Sequence, residues 1–360
     1  MSHASSSVSR KNRIQGALMG AFIGDALALG PHWYYDLDAL RRDYGEWITD
    51  YTAPKPGRYH EGLPAGASSQ AGFILALTTR SLVERGGYDE ADFCARMDQE
   101  LFPLLDGTPM AGPGGYTSQS IREAWGKRRA GLPWGQVAGL ADNTEAAERV
   151  LAIALRHAGD PAQLARHVSA NVALTQRDPT VGAMTLAFAA VLGQLVNGVA
   201  LDADLSGRLM GMVKSGELPF HAVTSGELDV PQGAETPLKA GQFASPDALL
   251  TVSSIARAAH DPCVSIEPAS KVSLVYGLPC AVYHQFPAAY YLAARFQGDV
   301  EQGVLHAVNA GGQNQARAML TGALCGAIGG LEAIPARFIA GLQQGEEYLA
   351  LAEALAEQAG

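Results

Sequence analysis

The chain has 360 residues, 48% of them hydrophobic and 17% charged, with a formal net charge of −10. That is enough apolar material for a sizeable core in one large domain or two, and it excludes the disordered class. The acidic balance, with no run of lysine and arginine, excludes nucleic acid as a partner, and no apolar run reaches the roughly 18 residues of a membrane span.

The N-terminal MSHASSSVSRKNR is polar and is followed by no signal-type cleavage site. Residues 1–12 read as a disordered tail ahead of one domain over 13–360. Beyond the tail, β-branched alternation is scarce and apolar residues recur at spacings of three and four, the pattern of an all-α protein. The run IQGALMGAFIGDALAL, residues 14–29, predicts a buried helix. Further helices are predicted over 70–84, 89–104, 118–128, 144–157, 160–175, 180–197, 203–214, 246–259, 286–296, 299–309, 314–329 and 335–358. Proline and glycine clusters interrupt them at 52–66, 105–116 and 216–245, the last being either a lid or an inert surface insertion. Cys94, Cys263, Cys280 and Cys325 are scattered without metal-type spacing. They read as reduced thiols in a cytoplasmic protein.

Glycine recurs every fourth residue in two places: Gly16, Gly20 and Gly24, and then Gly322, Gly326 and Gly330. Each glycine inside a helix costs about 1 kcal/mol against alanine, so six of them imply close backbone approach. Either each helix packs closely somewhere in the core, or the two pack on each other and jointly frame a pocket.

Polar residues set into apolar helices are the informative ones. The first helix carries Asp25 and runs into His32, Trp33, Tyr35 and Asp36. Ser68, Ser69 and Gln70 stand directly before FILAL, where a serine can cap a helix and free N–H groups can hold an anion. A glycine loop, GPGGY, ends in Tyr116. LTQRDP places Gln176 at 174–179, and NAGGQNQARA places Gln313, Asn314 and Arg317 at a second glycine-to-helix junction. His60 lies in a Pro/Gly-rich loop and suits a lid. No nucleophile elbow, phosphate loop or dinucleotide fingerprint is present.

The order of GALMGAFIGDALALG, SSQAGFILAL, LTQRDP and GGQNQARAMLTGALCGAIGG resembles the ADP-ribosylglycohydrolase family over about residues 12–332. In detail it is most similar to the J-type crystallin branch, through His32-Trp33-x-Tyr35-Asp36, Gln70, Thr175-Gln176 and the glycine-rich run at 311–318. The resemblance implies a compact all-α orthogonal bundle with a central cleft. It also implies cleavage at the ribose C1″ of ADP-ribosyl compounds with two magnesium or manganese ions held by carboxylates. The family's glutamate after the first helix falls on His32. Its Thr-Asp-Asp falls on Ser68-Ser69-Gln70, and its Asp-x-Asp-Thr on Gln313-Asn314-Gln315-Ala316. All five carboxylates are replaced by neutral groups, so no metal and no other cofactor is expected.

Three classes of function remain open: a metal-independent enzyme, a binding protein using the same cleft, and a scaffold. The leading expectation is hydrolysis of an N- or O-glycosidic bond in an ADP-ribosyl or nucleoside-like small molecule, with another small-molecule reaction as the alternative. The expected catalytic residues are His32, Asp36 and Tyr116. Expected substrate contacts are Trp33, Tyr35, Ser68, Ser69, Gln70, Gln176, Gln313, Asn314, Arg317 and His284. The last lies in a segment that borders the cleft in the family, and is either an acid/base group or the polar end of an aromatic patch. The only partner expected is a small molecule, and oligomeric state is not legible.

Overall fold

A helix that is apolar on every side belongs in the middle of a protein, and the first predicted helix meets that condition. The computed structural model describes residues 8–219 and 247–359. In it α1 (Arg10–Leu29) is buried continuously from Gly16 to Leu29. The chain continues through α2 (Leu37–Tyr44), α3 (Gln70–Arg85), α4 (Glu90–Arg96), α5 (Gln119–Arg129), α6 (Glu145–Arg156), α7 (Pro161–Ala173) and α8 (Pro179–Val196). It then forms α9 (Leu205–Ser215), α10 (Asp247–His260), α11 (Val272–Tyr276), α12 (Val282–Phe296), α13 (Val300–Asn309), α14 (Asn314–Gly329), α15 (Ala336–Gly341) and α16 (Gly345–Gln358). The fold is all-α, with no strand among the described residues.

Local chemistry explains where the elements depart from expectation. Helix α1 begins inside the stretch read as a tail, because the Ser9 hydroxyl accepts from the Asn12 N–H at 3.2 Å and caps it. Residues 1–7 lie outside the described residues, as does segment 216–245 apart from 216–219. The helix expected over 89–104 relaxes after α4 into a π-helical turn and a 3₁₀ turn containing Pro103. The helix expected over 335–358 breaks between Gly341 and Gly345, where Leu342 is extended. Helix α8 does reach the length and apolarity of a membrane span, with a mean hydropathy of 1.6, but 72% of it is buried inside the protein. Its composition is that of a core helix.

The two glycine-spaced helices meet each other. A Cβ on Gly20 would fall 2.1 Å from the Gly322 carbonyl oxygen, and one on Gly322 would fall 2.1 Å from the Gly20 carbonyl oxygen. Gly16 and Gly326 repeat this fit, at 2.6 and 2.0 Å, and Gly24 lies against the Ala318 carbonyl at 2.2 Å. Residue numbers fall on one helix as they rise on the other, so α1 and α14 run antiparallel with their backbones touching. The end of α1 is thereby placed beside the start of α14. A short bridge secures it: Gly312 N–H donates to Tyr34 O at 2.7 Å and Trp33 N–H to Gly312 O at 3.1 Å. Gly311 and Gly312 make this turn at φ +67° and +59°, which suits glycine.

The large apolar core gathers around this pair from α6, α8, α12, α13 and α16. A smaller cluster built on Phe93, Met97, Ile121 and Val137 packs beneath α3.

Gly20→Ala should lower the unfolding free energy by about 3 kcal/mol, because the methyl group meets backbone rather than a movable side chain. Gly211→Ala is the control. Gly211 is exposed in mid-helix with nothing within 4 Å of its Cβ position. That variant should gain about 0.5–1 kcal/mol. Urea denaturation of both variants checks the pair of signs.

Candidate active site

The ends of α1 and α14, the start of α3 and the start of α6 enclose a buried chamber. Its volume is about 40 Å³, room for a few water molecules at most. His32, His60 and Gln313 form one wall, and Ser69, Gln70 and Tyr116 a second. Asn143, Thr144, Glu145, Glu148 and Cys280 close the far side. A larger pocket of about 570 Å³ lies outside, lined by Tyr35, Arg58, Tyr59 and Met110. His32 and Trp33 line both, so Trp33 stands between them. Its ring meets Tyr116 and Tyr59 edge-on at 4.2 and 4.6 Å and stacks on His32 at 4.3 Å. Trp33 holds φ +61°, a costly conformation for a bulky residue, fixed here by its bond to Gly312.

The hydrogen bonds of the histidine pair determine its protonation. His60 Nδ1 contacts the Gly114 carbonyl, which can only accept, so that nitrogen carries the proton. Burial holds His60 down at about 4, hence neutral, and its Nε2 is an acceptor. His32 Nδ1, 2.5 Å away, must then donate to it. Burial, and next the neighbouring His60, push His32 well below the ordinary imidazole range, so it too is neutral. Its Nε2 is left as an acceptor, 2.8 Å from the Gln313 amide. As placed, Gln313 Oε1 faces this nitrogen; two acceptors cannot bond, so the chain of donors requires the amide turned over, with its NH₂ to His32 and its oxygen away from it. Amide orientation follows from the network in this way.

Three carboxyl groups gather behind and beside this wall. Asp25 on α1 accepts from Ser69 N–H at 2.9 Å, from the Ser69 hydroxyl, and from Gln315 Nε2 at 2.9 Å, tying α1 to α3 and α14. Gly72 makes the space, since a Cβ there would lie 2.2 Å from Asp25 Oδ2. Burial pushes Asp25 up to about 6 despite these donors. Glu145 pairs with Arg149 at 2.5 Å and accepts from Ser120 and Thr175. Glu148 has one side-chain partner, the Thr144 hydroxyl at 2.5 Å. Burial, and less strongly Glu145 and Asp25, push Glu148 up to about 8. It is a protonated carboxyl at neutral pH, facing the chamber.

The structure brings His32, Trp33, Ser69, Gln70, Tyr116 and Gln313 together as the sequence suggested. It moves the others elsewhere. Asp36 is exposed and caps α2 through Asp38 N–H and Ala39 N–H, away from the chamber. Tyr35 is 51% exposed and belongs to the outer pocket. Ser68 bonds Tyr348 at 2.8 Å and faces a different cleft. Gln176 spends its amide on Ala146 N–H and the Ala141 and Asn143 carbonyls, holding the loop before α6. His284 is bonded to Tyr276 O at 2.6 Å outside the chamber. Asn314 and Arg317 are fully buried, Asn314 on Pro31 O and Val308 O and Arg317 on Ala307 O and Gly311 O. They staple the turn into α14. His32 has no free nitrogen and is no ready-made base.

Glu145, Glu148 and His60 are what the sequence reading missed as site residues. The signal was present: AAERVLAIAL sets Glu148 and Arg149 into an apolar helix. Acidic residues in a first turn ordinarily serve the helix dipole, which masked it.

The residues present do not fit a pair of divalent ions. The positions that would ligate them carry neutral groups already engaged: Ser69 and Gln315 on Asp25, Gln70 on Thr117 and Ser118, His32 on His60 and Gln313. Among the described residues no three of His, Cys, Asp and Glu are placed to share a metal. Hard ions favour anionic oxygens, and these positions supply none.

Among the described residues, sixteen α-helices and a buried polar chamber define an all-α protein whose site lies at converging helix ends. The family model for ADP-ribosylglycohydrolase matches residues 6–360, and the chain belongs to that family. A solved structure described as an ADP-ribosylglycohydrolase-related protein complex is similar in fold, with a TM-score of 0.60 at 20% identity. The similarity covers 98% of this chain and 99% of that one. A comparison with curated proteins finds no match.

Gln313→Glu should convert the neutral histidine pair into a charged one. A carboxylate opposite His32 Nε2 demands a proton there, so His32 should titrate higher than in the wild type. Long-range ¹⁵N imidazole spectra read this directly; an unmoved His32 would overturn the assigned chain of donors.

Proposed function

We propose that the protein is a metal-independent hydrolase that cleaves an N- or O-glycosidic bond in an ADP-ribosyl or nucleoside-like small molecule. Family membership supports glycohydrolase chemistry, and the observation that carries the finer reading is Glu148, a buried carboxyl that lines the polar chamber with one hydroxyl partner and is pushed up to about 8 by burial. A carboxyl of raised pKa is the group a glycosidase uses to protonate a leaving group. The outer pocket has the volume of a small-molecule site, and His32 and Trp33 line both it and the chamber that holds Glu148.

The proposed step balances on one residue. Glu148 gives its proton to the leaving atom as the bond from C1 breaks. Water adds to C1 and returns a proton to the Glu148 carboxylate. The Gln313 carbonyl oxygen accepts from that water, and Glu145, fixed by Arg149, supplies negative potential beside the developing oxocarbenium. Tyr116, pushed up to about 12 by burial, serves as a hydrogen-bond donor. The four cysteines are free thiols, which suits a reducing cytoplasm.

The test is incubation with ADP-ribosyl-arginine, ADP-ribosyl-serine and nucleosides in the presence of a chelator. Product should form with kcat falling as pH rises through about 8, where Glu148 loses its proton. Glu148→Gln should lower kcat by about 10²–10⁴-fold. It should also stabilise the fold. A carboxyl whose folded pKa is raised holds its proton while the unfolded chain has lost it, so wild-type stability falls between about pH 4.5 and 8. The melting temperature of Glu148→Gln should therefore exceed the wild type at pH 8 and converge with it at pH 4. Strict dependence on magnesium, or unchanged turnover in Glu148→Gln, would overturn the mechanism. Because most wall groups are already paired with one another, a binding protein is the second reading. Saturable binding without product would select it.

A further inference from the structure

Helix α6 carries two of the chamber's carboxyls, Glu145 and Glu148. The first N–H groups of a helix have no partner within it, and the side chain of the residue just before it ordinarily accepts from them. That residue is Thr144, yet its hydroxyl makes no bond to the amides of the first turn. It bonds Glu148 instead, at 2.5 Å. The backbone agrees: Thr144 holds φ −81° and ψ 1°, not the extended conformation that aims a capping side chain at those amides.

The cap comes from another part of the chain. Gln176 lies just past α7 and is 1% exposed, and its Oε1 accepts from Ala146 N–H at 3.0 Å. Its Nε2 donates to Ala141 O at 2.7 Å and to Asn143 O at 2.8 Å, so the same amide fixes the loop that enters the helix. The backbone beside it is tied to that loop as well: Gly139 N–H donates to Thr175 O and Arg177 N–H to Gly139 O, both at 2.9 Å.

We propose that Gln176 is a positioning residue for the reaction: by capping α6 in place of Thr144 it reserves the Thr144 hydroxyl for Glu148. This rests on the reading of Glu148 as the acid. Without the Gln176 amide, Ala146 N–H would be a buried donor with no acceptor, which a folded chain avoids. The hydroxyl two residues back, at the ordinary capping position, can take it, and turns from Glu148 to do so. Glu148 then loses its one side-chain partner. The charged and titratable groups around it stay in place: Glu145 and Arg149 on its own helix, Asp25 on α1, and His32, His60, Tyr116 and Cys280 in the chamber wall. Because the Thr144 bond favours the carboxylate, its loss raises the pH at which Glu148 gives up its proton.

A carbon-detected titration of the side-chain carboxyls in the full chain tests this without turnover; the Glu148 resonance is the one missing from Glu148→Gln. Thr144→Val should raise the proton affinity of Glu148 about tenfold, the weight of one hydrogen bond to a charged group. Gln176→Met should do the same. The double variant should show no more than Thr144→Val alone, since both changes act through one hydroxyl. An unmoved Glu148 midpoint in Thr144→Val or in a folded Gln176→Met, or effects that add in the double variant, would overturn the proposal. Thr144→Val gives a second readout with Gln176 intact: Ala146 N–H should keep slow hydrogen exchange, and fast exchange there would also overturn it. Where the wild type turns over, the alkaline limb of kcat should move up with the midpoint. Midpoints that move as stated in a chain that turns over no glycoside would instead sink the reading of Glu148 as an acid and leave the link from Gln176 to Glu148 standing.

Discussion

Where two helices touch through their backbones, neither can slide or rotate without a carbonyl oxygen meeting a Cα. The contact of Gly16, Gly20 and Gly24 with Gly326, Gly322 and Ala318 is of that kind. It fixes the register of α1 against α14 as well as their distance. The backbone entropy lost at these glycines, and the side-chain packing they lack, are offset by the apolar faces that then close around the pair. Because the helices run antiparallel, one register sets two junctions together: the exit of α1 at His32 and the entry of α14 at Gln313. The 2.8 Å contact between those residues, 281 positions apart, follows from the glycine spacing.

The same closeness governs the electrostatics. A core this tight admits little water, so any charge in it needs a partner supplied by the chain. Asp25 receives three donors and is still raised to about 6. Glu145 receives a guanidinium. Glu148 receives one hydroxyl and is protonated at neutral pH. Between Asp25 and Glu148, the group with more donors is raised less. Neutral Ser69, Gln70 and Gln313 at the chamber continue the pattern: further negative charge there would stand beside Asp25 with no cation to offset it.

Helix periodicity made the all-α class legible, the glycine spacing left open whether the two helices pack on each other, and the bundle with its cleft came from the family resemblance. Individual roles were less legible, because a side chain's partner is set by tertiary contact. Gln176 and Asn314 are polar residues in apolar surroundings, as a ligand contact would be, but their amides serve backbone groups of distant loops. Asp36 follows His32 by four residues and looked like a neighbour in the site; the chain turns at Tyr34, and Asp36 begins a helix outside. His60 could not be placed because a loop carries no periodicity. Its role depends on the Gly114 carbonyl, 54 residues away.

Glu148 shows how competing effects settle a site residue. It sits in the first turn of α6, where the helix dipole favours a negative charge by about 0.3–1 kcal/mol. The Thr144 hydroxyl favours it too. Against both stands burial, which costs an ion several kcal/mol even after relaxation, with Glu145 beside it adding like charge. Burial wins, and it wins because Arg149 is committed to Glu145. One unequal ion pair, three residues from a carboxyl left with a single hydroxyl, separates the two groups into a fixed charge and a movable proton.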